Sequence, residues 1–138
     1  MVEESQLKYW RDAGHVARRT LEAMKLELQP GKTFHEIIES AERFIHRHGG
    51  KPAFPATIAV NDMAAHFTTN HLIDGVDGWD NDNVLSKGDL VKIDFGVHIK
   101  GHIGDNALTM EIGNSNNHTE QIKAAKEARD AAVEMLHP

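Results

Sequence analysis

The sequence predicts an α+β domain in which an antiparallel hairpin is covered by helices. Three observations predict it. Apolar residues recur at three- and four-residue steps before residue 48, they do so again after residue 118, and residues 90–112 alternate apolar with polar.

Over residues 5–28, Leu7, Trp10, Ala13, Ala17, Leu21, Met24 and Leu28 form one stripe of an amphipathic helix, which Gln29-Pro30-Gly31 ends. Thr33 followed by Glu36 has capping-box form, and Ile37, Ile38, Ala41, Phe44 and Ile45 make a second stripe that stops at Gly49-Gly50. Pro52 and Pro55 forbid helix in the next stretch, and residues 57–60 read as extended. Residues 70–83 hold Asp, Asn and Gly in most positions and read as an exposed loop. A last helix is expected over residues 118–136, with Ile122, Ala125, Ala128, Ala132, Met135 and Leu136 turned inward. Its end, Leu136-His137-Pro138, weakly repeats Leu28-Gln29-Pro30.

In the hairpin, Val91, Ile93, Phe95, Val97 and Ile99 share one face of the first strand, while Lys92, Asp94, Gly96 and His98 share the other. Lys100-Gly101 is the natural turn, since Gly tolerates positive φ. A two-residue loop pairs Ile99 with His102 and sets Asp94 opposite Ala107 and Asp105 opposite Gly96. Asp94 and Asp105 then become diagonal neighbours on one face, ~7–8 Å apart at the backbone. A loop one residue longer would part them.

The 138 residues carry 15 Lys+Arg against 21 Asp+Glu, a net charge of −6, with 40% hydrophobic and 26% charged residues. That is one globular domain, far from the composition of a disordered chain. No Lys/Arg stretch is dense enough to hold nucleic acid by its phosphates, and Arg18-Arg19 and residues 43–48 read as solvated helix faces. Zero cysteines exclude disulfides, thiolate metal sites and Cys nucleophiles. Met1-Val2-Glu3-Glu4-Ser5 lacks the features of a signal peptide, and no apolar run approaches ~20 residues. A soluble cytoplasmic protein with no membrane partner is expected.

Two carboxylates converging on one face repel, so one takes a proton or a cation sits between them. Oxygen ligands suit Mg, Mn or Ca, and Co, Fe or Zn where His joins them. From the pattern alone, Asp94 and Asp105 are either such a site or exposed strand residues paired with Lys92 or Lys100. Of the ten histidines, His15, His35, His46, His48, His118 and His137 fall on polar faces or loops and are expected to face solvent. His98 shares the Asp94 face and is read as exposed, while His66, among small apolar residues, is the candidate for a buried functional imidazole.

Three runs in order carry a resemblance: Lys51-Pro52-Ala53-Phe54-Pro55; Asn61-Asp62-Met63-Ala64-Ala65-His66-Phe67-Thr68; and Gly88-Asp89-Leu90-Val91-Lys92-Ile93-Asp94-Phe95-Gly96-Val97-His98-Ile99 followed by Asp105-Asn106-Ala107. Together they resemble type 2 methionine aminopeptidase in its short archaeal-like form, over essentially the whole chain. The resemblance implies half of the pita-bread (creatinase/aminopeptidase) fold, whose two pseudo-symmetric halves clasp a dinuclear metal site. It implies two divalent ions (Co, Mn, Fe or Zn) with Asp94 and Asp105 as ligands and Asp105 bridging both. His66 would act catalytically by hydrogen-bonding the substrate near the scissile peptide, and Phe54 would wall the methionine pocket. The implied reaction is metal-assisted hydrolysis that removes the initiator methionine of nascent polypeptides when the next residue is small.

Thr69 and Gly104 depart from the family pattern, as does a longer 70–83 loop, and they leave the ligands untouched. The family's other ligands, one His and two Glu, lie in a C-terminal half beyond Pro138. Residues 1–138 are therefore expected to be the N-terminal half of the catalytic domain, to contact that missing half and to be inactive alone. Two other readings stand beside this one: a prolidase-type peptidase, and a non-catalytic pita-bread relative acting as a protein- or RNA-binding module.

Overall fold

A computed structural model describes residues 3–69 and 83–136. The expected 70–83 loop lies outside the described residues except for Asn83. The elements are α1 (Glu4–Glu27), α2 (Phe34–Arg47), β1 (Lys51–Pro52), β2 (Thr57–Val60), β3 (Leu90–Ile99), β4 (His102–Glu111) and α3 (Thr119–Glu134). This is the expected α+β architecture, an antiparallel sheet covered by helices.

α2 begins where its sequence says it should. Glu36 N–H donates to Thr33 Oγ1 at 3.1 Å and Thr33 N–H donates to Glu36 Oε2 at 2.9 Å, a reciprocal cap. Such a cap stabilises a helix start by ~1 kcal/mol. In α1 the stripe buries Ala13, Val16, Ala17, Thr20 and Met24, and Thr20 satisfies its hydroxyl on the Val16 carbonyl at 2.9 Å. Leu7 and Trp10 at its first turns stay exposed.

β3 is the centre of the sheet. β4 pairs along one edge for its full ten residues, while β1 and β2 share the other edge end to end. Pro52 pairs with Val97 and Thr57 with Asp94, so five steps on one strand face three on the other. Two residues are looped out between β1 and β2, where Pro55 cannot donate to a ladder. The hairpin closes through Lys100 and Gly101, both at positive φ (51° and 83°), a type I′ turn whose twist suits the strands.

The core lies between one sheet face and the first two helices. Val91, Ile93, Phe95 and Val97 of β3 meet Met24 of α1 and Ile37, Ile38, Ala41 and Ile45 of α2, all at most 1% exposed. α1 comes closest at Gly104, where a Cβ would lie 2.8 Å from the Gly14 nitrogen and 2.9 Å from the Ala13 carbonyl carbon. Gly104 thus has a packing cause: helix backbone rests on strand backbone there.

α3 corrects the expectation of an inward stripe. It buries no residue, and Val133, Met135 and Leu136 are 58%, 77% and 78% exposed. Its spacing is helical, but among the described residues it packs mainly along β4 and buries none of its own, so its apolar side stays uncovered. Its start is held from behind: Glu111, at the end of β4, accepts the backbone N–H groups of Asn117 (3.1 Å) and His118 (2.9 Å). No described helix is long and apolar enough to cross a membrane.

Candidate active site

Strand alternation decides which residues can do chemistry here. With Val91, Ile93, Phe95 and Val97 committed to the core, Lys92, Asp94, Gly96 and His98 must face the other way. The register is that of the two-residue loop: Asp94 stands opposite Ala107 and Asp105 opposite Gly96. The two carboxylates are therefore diagonal neighbours on the open face. With Phe54, Pro55, Thr57, His66 and Thr68 they line one cavity of about 490 Å³.

Neither carboxylate finds a hydrogen-bond or ion-pair partner among the described residues. Lys92, one candidate partner, donates instead to the Asn61 carbonyl at 2.7 Å and to that of Met63. Lys100, the other, donates to the Tyr9 hydroxyl at 3.0 Å. The reading of Asp94 and Asp105 as ordinary lysine-paired strand residues does not hold. Partial burial pushes the Asp94 carboxyl above its usual range, and the charge of Asp105 pushes it further, against a smaller lowering by His66. A carboxylate destabilised by burial and by a like-charged neighbour is suited to a cation.

His66 reaches the cavity by a route its neighbours did not suggest. It is exposed, not buried, and its φ of 64° lies in the left-handed region. Ala64 and Ala65 run along the surface, and burial begins one residue later. Phe67 packs edge-on against Phe34 with centroids 6.0 Å apart, and its carbonyl accepts the Ile58 N–H at 2.8 Å. Thr68 Oγ1 donates to the Ala56 carbonyl at 2.8 Å. These contacts fix residues 67 and 68 against β2 and leave His66 projecting at the cavity rim.

The other histidines also differ from expectation in part. His15 and His46 are exposed, but His35 bonds to Thr69 Oγ1 at 3.3 Å and His48 stacks on Phe44 at 4.0 Å, both half-buried. His118, half-buried, pairs with Gln121 at 2.8 Å; His137 lies outside the described residues. His98 is half-buried, its Nδ1 accepting the Gly101 N–H at 3.3 Å, and it does not line the cavity. Three lining residues, Pro55, Thr57 and Thr68, were not singled out in the sequence as site residues. Thr57 was legible, since it pairs with Asp94 and shares its face; Thr68 was not, because its place depends on a bond twelve residues away in the chain.

Among the described residues, no three His, Cys, Asp or Glu side chains converge to hold a metal. Asp94 and Asp105 supply oxygen donors of the type divalent ions take, but fewer than the four to six or more such ions require. They fit as part of a coordination shell.

Comparison with known proteins bears on the family and the fold. The model of metallopeptidase family M24 matches residues 8–138. The methionine aminopeptidase of Archaeoglobus fulgidus is 38% identical over 125 residues, covering 91% of this chain and 39% of that protein. The methionine aminopeptidase of Methanothermobacter thermautotrophicus is 32% identical over 134 residues, covering 96% and 41%. The chain thus spans about two fifths of the length of these relatives. Among solved structures, the methionine aminopeptidase of Thermotoga maritima shares the fold, with a TM-score of 0.85 at 22% identity over 99% of this chain and 55% of that one. The prolidase of Pyrococcus horikoshii has a TM-score of 0.79 at 28% identity, covering 99% of this chain and 37% of that one.

Proposed function

The chain belongs to metallopeptidase family M24, and from that premise we propose that it forms the carboxylate-bearing part of a cytoplasmic methionine aminopeptidase. The substrate is the N-terminal methionine of a nascent polypeptide whose second residue is small. In this reading residues 1–138 are the N-terminal half of the catalytic domain, and the remaining His and Glu ligands come from polypeptide outside them. The observation that carries the reading is the convergence on one cavity of an imidazole, an aromatic wall and two carboxylates that have no partner among the described residues.

Asp94 and Asp105 would supply part of the oxygen shell that holds the divalent ions. When bound, such ions polarise the first peptide carbonyl and lower the pKa of a bound water enough to make it a nucleophile at neutral pH. The other roles belong to this chain. His66, free at the rim, donates or accepts a hydrogen bond at the peptide beside the scissile bond. Phe54 and Pro55 line the same cavity as the carboxylates and offer the apolar surface that a thioether side chain prefers.

The test is hydrolysis by the natively expressed protein, supplied with divalent metal, of Met-Ala-Ser against Xaa-Pro peptides. Release of methionine supports the reading. Cleavage of Xaa-Pro peptides alone would make the protein a prolidase-type enzyme, and bound metal with neither reaction would make it a binding module. Asp105→Asn is expected to abolish cooperative uptake of divalent metal; undiminished stoichiometry would overturn the ligand assignment. His66→Ala is expected to lower turnover by about 10²-fold or more with metal still bound.

A further inference from the structure

We infer that Gly96 is a positioning residue: its missing side chain is the seat on which Phe54 forms the apolar wall of the cavity, and it thereby sets how large a substrate side chain the site accepts. This rests on the reading of the cavity as a substrate site.

Gly96 sits mid-strand, the usual place for a β-branched or aromatic residue, and it is buried. Its backbone does not call for glycine, since it is not among the residues at positive φ. Space does. A Cβ built there would lie 2.9 Å from Phe54 Cδ1, closer still to Cε1, and 3.0 Å from the Ala53 Cβ. The Phe54 ring therefore rests directly on the strand. The interruption between β1 and β2 makes this possible: the two looped-out residues arch the chain over β3, and the Ala53 N–H to Gly96 carbonyl bond of 2.9 Å pins the arch at this residue. Gly96 is also the register partner of Asp105, so the wall is built beside the carboxylates. A single methyl at position 96 lifts the ring into the volume that the substrate side chain needs, and leaves every polar group of the cavity in place.

A size swap tests this. The native polypeptide is prepared as the parent, Gly96→Ala, Phe54→Leu and the double variant Gly96→Ala/Phe54→Leu. Gly96→Ala is expected to raise KM for Met-Ala-Ser about tenfold or more, the scale of one misplaced methyl in an apolar pocket, with kcat and metal stoichiometry unchanged. The smaller Leu makes room for the new methyl, so the double variant is expected to recover most of that loss, a coupling that general damage to the fold does not produce. An unchanged KM in Gly96→Ala, or a double variant no better than Gly96→Ala, overturns the inference. The contact is also read without turnover. The Gly96 α-protons of the parent are expected to carry a ring-current shift from the Phe54 ring that rests on them, and Phe54→Leu is expected to abolish it; α-proton shifts that Phe54→Leu leaves unchanged overturn the inference. A parent that does not cleave Met-Ala-Ser defeats the proposed function, and the proton shifts still decide the contact.

Discussion

The two faces of β3 divide the work of this domain. On one, Val91, Ile93, Phe95 and Val97 are sealed under α1 and α2 without solvent exposure. On the other, Asp94 and the neighbouring Asp105 border an open cavity and carry charge that no described residue neutralises. Neighbours in sequence therefore differ in what a substitution does. A change at Val91, Ile93, Phe95 or Val97 acts on stability, and a change at Asp94 acts on the cavity. A loss of metal affinity from a core-face change, measured on molecules that remain folded, would break that division.

The largest effect is expected from Phe95→Ala, which empties the centre of the core and lowers unfolding free energy by ~3–5 kcal/mol in urea denaturation. Next is Gly104→Val, on the α1-facing side of β4. Its side chain would press on the backbone of Ala13 and Gly14, which cannot swing aside as a side chain can, at a cost of ~1–3 kcal/mol.

Asp94→Asn inverts the sign. The Asp94 carboxyl is raised in the folded state by burial and by Asp105, so the native state holds its proton more tightly than the unfolded chain does. Stability then falls as pH rises from the ordinary value of 3.8 through the raised folded value, and the penalty persists above it. Without metal, Asp94→Asn is expected to be more stable than the parent at neutral pH and equal to it in strong acid. Added divalent metal is expected to raise the melting temperature of the parent and not of the variant. A variant less stable than the parent at neutral pH would show that the open face also supports the fold.

The smallest effect is at Glu111, the last residue of β4. Burial pushes its carboxyl up, but the backbone N–H groups of His118 and Asn117 outweigh this and hold it below the ordinary value of 4.5. It contributes stability above that pH, and the contribution is lost as pH falls through the depressed folded value. Glu111→Gln is expected to flatten the acid limb of the stability curve and to leave neutral metal binding unchanged. An acid limb as steep as the parent's would mean that the cap contributes nothing.

Much of this division was legible in the sequence. Alternation marked the two faces of β3, and a Lys-Gly turn of two residues set the register that joins Asp94 to Asp105, because both signals are local. What failed was long-range. The spacing of α3 shows an apolar stripe but cannot say whether anything covers it, and among the described residues almost nothing does. The small residues before His66 suggested burial, yet burial starts at Phe67, where tertiary contacts to Phe34 and Ile58 take hold. Of the seat of Phe54 the sequence showed only two prolines that forbid helix; that the chain between β1 and β2 arches over Gly96 depends on pairing across the sheet.

The turn at Lys100 and Gly101 makes parity a constraint on this gene. Point changes there alter a surface loop, but one inserted or deleted codon would exchange every inward residue of β4 for an outward one, parting Asp105 from Asp94 and offering Leu108 and Met110 to solvent. Length at this turn can therefore drift only in steps of two. Among homologous hairpins that keep both carboxylates, turns are expected to differ in composition freely and in residue count by even numbers.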